Sequence, residues 1–460
     1  MKTRPNLKNF FYLLSSGLII QLLGTVYRIW LARKIGTEGL GIFQMSYPVY
    51  RLLSSIATIG LPLALTKWVA EYLANRQFSN IYKLKQWALR ITMIGALITT
   101  TLLYFGAAWL SRFVFAEPRL QTALYVVAIA IPFSAFSSIY RGYFQGFSLM
   151  APTAVSEITE QIAEIGVTYF CIISIIRFLP DSTYSFPIIG LTAGEITCFL
   201  TLLWFNRSNH TIHRPDSHHP DSSVTDLPRA EIFNFSWPLL LNQIVVAISM
   251  SSEAALIPRL LISTGITPSH ATGALGLLNG IAAPVAYFPV IFILPLATVL
   301  SPQVSSAMKI HSLGTIRKKL FIFYTFGLLI GIIGFLAVFI KTVPLTQFLY
   351  GNTDSVSTIR LLALGLPFTG LAILNITILG AVGASPKILM LSLWGLGLKT
   401  ALFFVLIHSL GILGAAWAIT VTQIFIFMAS LAEIRPYWPS FSGQNYPKWL
   451  PPFRFLKDSR

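Results

Sequence analysis

Eight ionisable side chains interrupt the long apolar stretches of this 460-residue chain: Arg28, Arg51, Glu157, Glu160, Glu164, Glu195, Glu253 and Lys399. A charge at the centre of a bilayer costs about 2.5–3.5 kcal/mol on insertion scales, so such groups face a water-filled cavity or one another. Arg51 stands about twelve residues into its apolar run, roughly 18 Å along a helix, too deep for its head to reach the interface. Its planar fork suits a phosphate, which it grips through two parallel N–H bonds. A structural pair with a glutamate is the competing reading. Glu157, Glu160 and Glu164 recur at i, i+3 and i+7, one stripe of a helix, which suits a proton or cation path. Glu157 and Glu160 also stand close enough to the start of their run to reach the interface. Lys399 is central to its run, and a cavity role and a structural role are equally open for it.

The elements that carry these residues are apolar helices. The chain is 55% hydrophobic and 11% charged, with a mean hydropathy of +0.70, which excludes a soluble mixed-layer domain. Twelve runs of about 20 residues, each long enough to cross a hydrocarbon core of about 30 Å, occupy residues 10–32, 39–66, 88–110, 120–144, 154–178, 186–205, 232–257, 273–300, 320–340, 359–382, 388–408 and 411–432. The predicted class is an all-α integral membrane protein with about twelve transmembrane helices. The first run follows Lys2, Arg4 and Lys8 as a signal peptide would, but it is longer than a cleavable segment and is expected to stay as an anchor.

A net charge of +17 would suggest nucleic acid in a soluble protein; here its distribution gives the topology instead. Twenty-two Lys and Arg, Arg141 among them, fall on the side of the N-terminus, and eight (Arg33, Lys34, Arg112, Arg119, Arg177, Arg259, Lys341 and Arg360) on the other. Positive residues stay inside, so both termini are expected to be cytoplasmic and the partners to be membrane lipids, with no nucleic acid. Cys171 and Cys198 lie within apolar runs as ordinary buried thiols. His210, His213, His218 and His219 match no closed zinc spacing, so no metal is expected.

The chain repeats itself. Ile131-Pro132-Phe133-Ser134 returns as Leu366-Pro367-Phe368-Thr369, Leu61-Pro62-Leu63-Ala64 as Leu294-Pro295-Leu296-Ala297, and Gly146 with Pro152 as Gly380 with Pro386, at offsets of 233–235. Asn9-Phe10 matches Asn234-Phe235 at 225. Two pseudo-symmetric six-helix bundles follow, residues 1–206 and 231–435, joined by a polar cytoplasmic linker, 207–230, and ending in a basic, aromatic cytoplasmic tail, 436–460. An even number of spans per half makes the repeat parallel, about an axis along the membrane normal. Prolines within runs of both halves, Pro48, Pro62, Pro132, Pro289, Pro295 and Pro367, permit the bends that moving helices need, though membrane helices tolerate proline generally.

The segment Ala32-Arg33-Lys34-Ile35-Gly36-Thr37-Glu38-Gly39-Leu40-Gly41-Ile42-Phe43, with Pro48, Arg51 and Leu61-Pro62 after it, resembles the opening of the polysaccharide-exporter and flippase branch of the MOP superfamily. Within that branch the chain looks most like the stage V sporulation protein B type, a relative of the lipid II flippases, and the likeness extends over essentially its whole length. The resemblance implies a V-shaped bundle that alternates access and moves an undecaprenyl-diphosphate-linked sugar, with lipid II among the candidates, from the inner to the outer leaflet. Arg28 and Arg51 match, by helix, basic residues that the lipid II flippases carry in their first two spans. The eighth run, 273–300, has no charge where those flippases have one, and those relatives usually have fourteen helices.

A headgroup of charge −2 moving outward gains about 4.6 kcal/mol per 100 mV if it crosses the full field. No cofactor is expected, and the drive is either Na⁺ or H⁺ coupling or the membrane potential alone. The rival reading is a cation-coupled multidrug exporter using Glu164 or Glu195. An embedded glycosyltransferase would need a sizeable extramembrane domain, which the short connections do not provide. At the offset of 225, Arg28 falls on Glu253, so these two are expected to pair as an outer gate unless Arg28 reaches headgroups and Glu253 pairs with Arg259. The topology predicts that cysteines introduced at Asn75 and Ser217 are both shielded from an impermeant external thiol reagent in intact cells; labelling at both would reverse it.

Overall fold

The computed structural model describes residues 7–174, 184–208, 227–310, 313–351 and 353–437; the linker histidines and the tail from 438 lie outside the described residues. Every regular element among them is helical: α1 (Leu7–Thr58), α2 (Leu61–Ala74), α3 (Phe78–Trp109, continued by a π turn, Leu110–Val114), α4 (Leu120–Gly146), α5 (Ala151–Ser174) and α6 (Phe186–Ser208). There follow α7 (Arg229–Ser263), α8 (Pro268–Leu275, with a π turn, Gly276–Ala282), α9 (Ala283–Ala286), α10 (Ile293–Ile310), α11 (Leu313–Tyr350), α12 (Val356–Ala363), α13 (Leu366–Ala381), α14 (Ser385–Leu410) and α15 (Ile412–Ile434).

Among the described residues eight helices are long and apolar enough to cross a membrane alone, and two bent pairs, α1 with α2 and α12 with α13, raise the number to ten. Dividing α1 at Gly36 and adding α5, with its three glutamates, gives twelve legs in the order the apolar runs require. Gly36 takes φ +69°, a left-handed conformation that only glycine adopts without penalty. It ends the first limb of α1 where the sequence passes from one apolar run to the next. Where lipid is the solvent, helices associate through close packing rather than hydrophobic burial, so small residues line the contacts. On α3, Ala88, Ala96 and Ala107 are buried while Leu97 and Phe105 point outward, 68% and 78% exposed.

By packing, the chain forms two compact units: Met1–Val285 with Val343–Thr358 and Thr400–Ala416, and Ala286–Thr342 with Ile359–Lys399 and Trp417–Arg460. The first is built on Leu61, Leu65, Phe144, Leu202 and Ile232, and beside them Leu31, Leu40, Cys171 and Phe186. The second is built on Ile293, Leu300, Leu374 and Leu391. This grouping differs in kind from division by repeat, because α7 and α8, which open the second repeat, pack in the first unit.

One reason α7 and α8 do so is a polar clasp outside the spans. Arg119 grips Glu117 through Nε and Nη2, both at 2.8 Å, and reaches Glu38 at 2.6 Å through Nη1. The second repeat answers from α8: Thr272 donates to Glu117 at 2.8 Å and Ser269 to Glu38 at 2.7 Å. At the same place the π turn meets the start of the second limb of α1 so closely that a Cβ on Gly276 would overlap the carbonyl oxygen of Thr37. Arg33 extends the tie by donating to the carbonyls of Phe348 and Leu349 near the end of α11.

Burial alone would raise the pKa of Glu117; the hydrogen bonds from Arg119 and Thr272 outweigh it and hold the carboxyl below its ordinary range. A folded pKa below the unfolded one gives stability that is complete above the unfolded value, about 4.3, and is lost as pH falls through the folded value. Glu117→Gln is therefore expected to cost about 1–3 kcal/mol of stability at neutral pH. In thermal unfolding the gap from wild type should shrink below about pH 4; an undiminished gap in acid would contradict it.

Candidate functional site

The second limb of α1 presents Gln44, Tyr47, Arg51, Ser54 and Thr58 at i, i+3, i+7, i+10 and i+14, a single helical face. That face lines a cavity of about 690 Å³ within the first unit. Its other walls are Ser134, Ser138 and Arg141 on α4, Glu160, Gln161 and Glu164 on α5, Glu195 on α6, and Gln243, Met250 and Glu253 on α7, with Asn279 from the π turn and Arg28 from the first limb of α1. Three arginines and four glutamates thus share one cavity bounded by helices that read as membrane spans.

Most of the carboxylates are already engaged. Glu160 forms an ion pair with Arg141, whose Nη2 also donates to Cys198 Sγ at 2.9 Å. Glu195, 6% exposed, accepts from the Tyr50 hydroxyl, which in turn meets Ser134 Oγ at 2.7 Å. Glu164 accepts from Gln161 at 3.3 Å, with Arg28 in electrostatic reach. Glu253 has an interaction of its own. By contrast, the guanidinium groups of Arg28 and Arg51 make no hydrogen bond or ion pair with any described residue, and both side chains are exposed to the open space. The Ser54 hydroxyl, one turn from Arg51, is buried and has no hydrogen-bond partner among the described residues.

A scan for known families matches the model described as "Polysaccharide biosynthesis protein" over residues 6–308, more than half of the chain and every residue of the cavity wall. The chain belongs to the polysaccharide biosynthesis protein family. It is 27% identical over 444 residues to stage V sporulation protein B of Bacillus subtilis (strain 168), covering 95% of this chain and 85% of that relative. It is 31% identical over 172 residues to the lipid II flippase MurJ of the same organism, covering 35% of this chain and 31% of that one. Among solved structures, the inward-facing conformation of a multidrug resistance MATE family transporter of the MOP superfamily superposes with a TM-score of 0.75, at 13% identity, over 94% of this chain and all of that one. The all-α MOP-superfamily fold expected from the sequence is therefore the observed one, and this family member is a multi-pass membrane protein.

Six of the eight ionisable residues singled out from the sequence line the cavity: Arg28, Arg51, Glu160, Glu164, Glu195 and Glu253. Glu157 does not; it stands half-buried nearer the start of α5, within electrostatic reach of Arg141. Lys399 is buried on α14 in the second unit, 7% exposed, and does not line this cavity. The sequence places Arg141 on the cytoplasmic side, near the end of the run at Phe144; α4 continues to Gly146 and Arg141 lines the cavity, and the signal for it in the sequence is that the run extends past it. Tyr50, Ser134 and Gln161 carry no charge, and no spacing marks them.

Arg28 and Glu253, equivalent by repeat, share the cavity wall. If they act as a pair in transport, Arg28→Glu and Glu253→Arg should each reduce it, and the double reversal should be more active than either single one. A double reversal no better than the singles, with all three inserted normally, would remove the pairing.

Proposed function

We propose that this family member is a flippase whose cavity receives the diphosphate headgroup of an undecaprenyl-linked sugar at the inner leaflet and delivers it to the outer one. The observation that carries this reading is an imbalance of hydrogen bonding: Glu160 has an ion pair and Glu164 and Glu195 accept hydrogen bonds, while the guanidinium groups of Arg28 and Arg51 make neither with any described residue. A guanidinium binds phosphate oxygens bidentately, and the unpartnered Ser54 hydroxyl adds a donor beside Arg51. The polyprenyl tail never needs to enter, because lipid solvates it. A cation-binding multidrug cavity would show the reverse, free carboxylates and neutralised arginines.

Among the described residues, the connections at the end that carries Glu38 and Glu117, namely Gly36, 115–119, 264–267, 353–355 and Gly411, belong to the first unit. We place that end outside, where the clasp of Arg119 joins the repeats, and both termini in the cytoplasm. The repeats 1–206 and 231–435 are then the halves that rock. A −2 headgroup moving outward against an inside-negative potential gains about 4.6 kcal/mol per 100 mV, so voltage alone is sufficient to bias the cycle.

Arg51→Gln is expected to weaken headgroup binding about 10- to 100-fold, the worth of one charged hydrogen-bonding group, and to stop translocation while insertion stays normal. Arg51→Lys should restore part of the activity as a point charge without the fork. The check is complementation of a strain depleted of its own lipid II flippase, alongside binding of undecaprenyl diphosphate to purified protein. Full activity of the Gln variant would defeat the assignment.

A further inference from the structure

Arg141 is the third arginine of the cavity, and it is engaged differently from the other two. Its Nη2 serves both Glu160 and Cys198, while its Nε, although buried, has no hydrogen-bond partner among the described residues. A guanidinium offers five N–H donors, so the pair with Glu160 leaves the fork only partly used. The pair is also not sealed: Arg141 and Glu160 side chains keep 25% and 27% of their exposure, and both line the cavity. The carboxylates in electrostatic reach of this cation are Glu157 and Glu160 from α5 and Glu195 from α6.

The repeat shows that the fold does not need a charge here. Five residues before the aligned glycines Gly146 and Gly380, the position of Arg141 becomes Asn375. Asn375 is fully buried, accepts from Tyr324 and donates to Ser430 at 2.9 Å, so neutral hydrogen bonds hold this register in the second half. An ion pair open to a cavity, at a register where the same fold uses a satisfied amide, is poorly explained by packing, since the amide holds the register without the desolvation cost of charge.

We propose that Arg141 is a third anion-binding position, occupied by Glu160 while the cavity is empty, and that an entering diphosphate takes the place of the Glu160 carboxylate on its guanidinium. This rests on the flippase reading and adds to it an exchange: the cavity keeps its own carboxylate on the cation until an anion of higher charge density displaces it.

The test is a binding cycle with the full-length protein in detergent, using undecaprenyl diphosphate as probe and undecaprenol, which lacks the phosphates, as its control. The proteins are wild type, Glu160→Gln, Arg141→Asn and the double variant; Asn is chosen because the second repeat carries it at this register. Competition for one guanidinium requires Glu160→Gln to tighten diphosphate binding about tenfold when Arg141 is present and less than about twofold when residue 141 is Asn. Equal tightening in both backgrounds would mean that Glu160 acts only through its general field, and no tightening would mean that it never competes; either overturns the proposal. If Arg141→Asn does not fold, Arg141→Lys replaces it, and Glu160→Gln must then still tighten binding on the retained charge; absence of that effect likewise overturns it. Wild-type protein that binds the diphosphate no better than undecaprenol would defeat the flippase reading itself, whereas Arg51-dependent binding with an additive cycle defeats only the exchange.

Discussion

Seven charged side chains drawn together between membrane helices are the feature on which the rest of this molecule depends. Each would cost about 2.5–3.5 kcal/mol at the bilayer centre if left to lipid, and the fold meets that cost by giving them one another and one water-accessible space. Glu160 has Arg141, Glu195 has Tyr50 and Ser134, and Glu164 has Gln161. The stripe from Gln44 to Thr58 on α1 and the stripes on α4, α5 and α7 turn polar residues inward while leucines and phenylalanines face lipid. The positions of the helices, the break at Gly36 that starts the second limb, and the close approach of that limb to the π turn after α8 all serve this enclosure.

What remains after the internal pairing defines the chemistry. A cavity with all charges mutually satisfied would be a structural core, and one with unpaired carboxylates would attract cations. Among the described residues of this one, Arg28 and Arg51 are the charged groups that make neither a hydrogen bond nor an ion pair. Membership of the polysaccharide biosynthesis protein family agrees with the cargo proposed above, and the fold is one the chain shares with MATE-family transporters. The clasp of Glu38, Glu117 and Arg119 with Ser269 and Thr272 ties α8, from the second repeat, to the first.

Much of this was legible in the residues alone, and the parts that were not share a cause. Arg28, Arg51, Glu160, Glu164, Glu195 and Glu253 stood out because a charge inside an apolar run has few physical explanations, and the twelve helical legs followed from run length. Arg141 was hidden by its nearness to a helix end, where a charge is unremarkable. Tyr50, Ser134 and Gln161 are polar residues whose hydrogen bonds depend on three-dimensional packing, so one-dimensional spacing does not mark them. Glu157 shares the stripe of Glu160 and Glu164 yet does not line the cavity, because helical periodicity fixes direction but not how far along the axis a cavity extends. Lys399 looked comparable to Arg51 in sequence, and only the grouping of helices into units separates them. The packing of α7 and α8 with the first repeat arises from side-chain contacts such as Thr272 on Glu117, which no repeat pattern encodes.

The most direct measurement of the central claim is reconstitution of the purified protein into sealed proteoliposomes with a fluorescent undecaprenyl-diphosphate-linked sugar in one experiment and a lipophilic cationic dye in another, each with and without an imposed membrane potential. A cavity whose uncommitted groups are guanidinium groups requires protein-dependent translocation of the anionic lipid, faster when the potential pulls negative charge in the direction of flipping, and no transport of the dye. Dye transport without movement of the lipid-linked sugar would contradict the account.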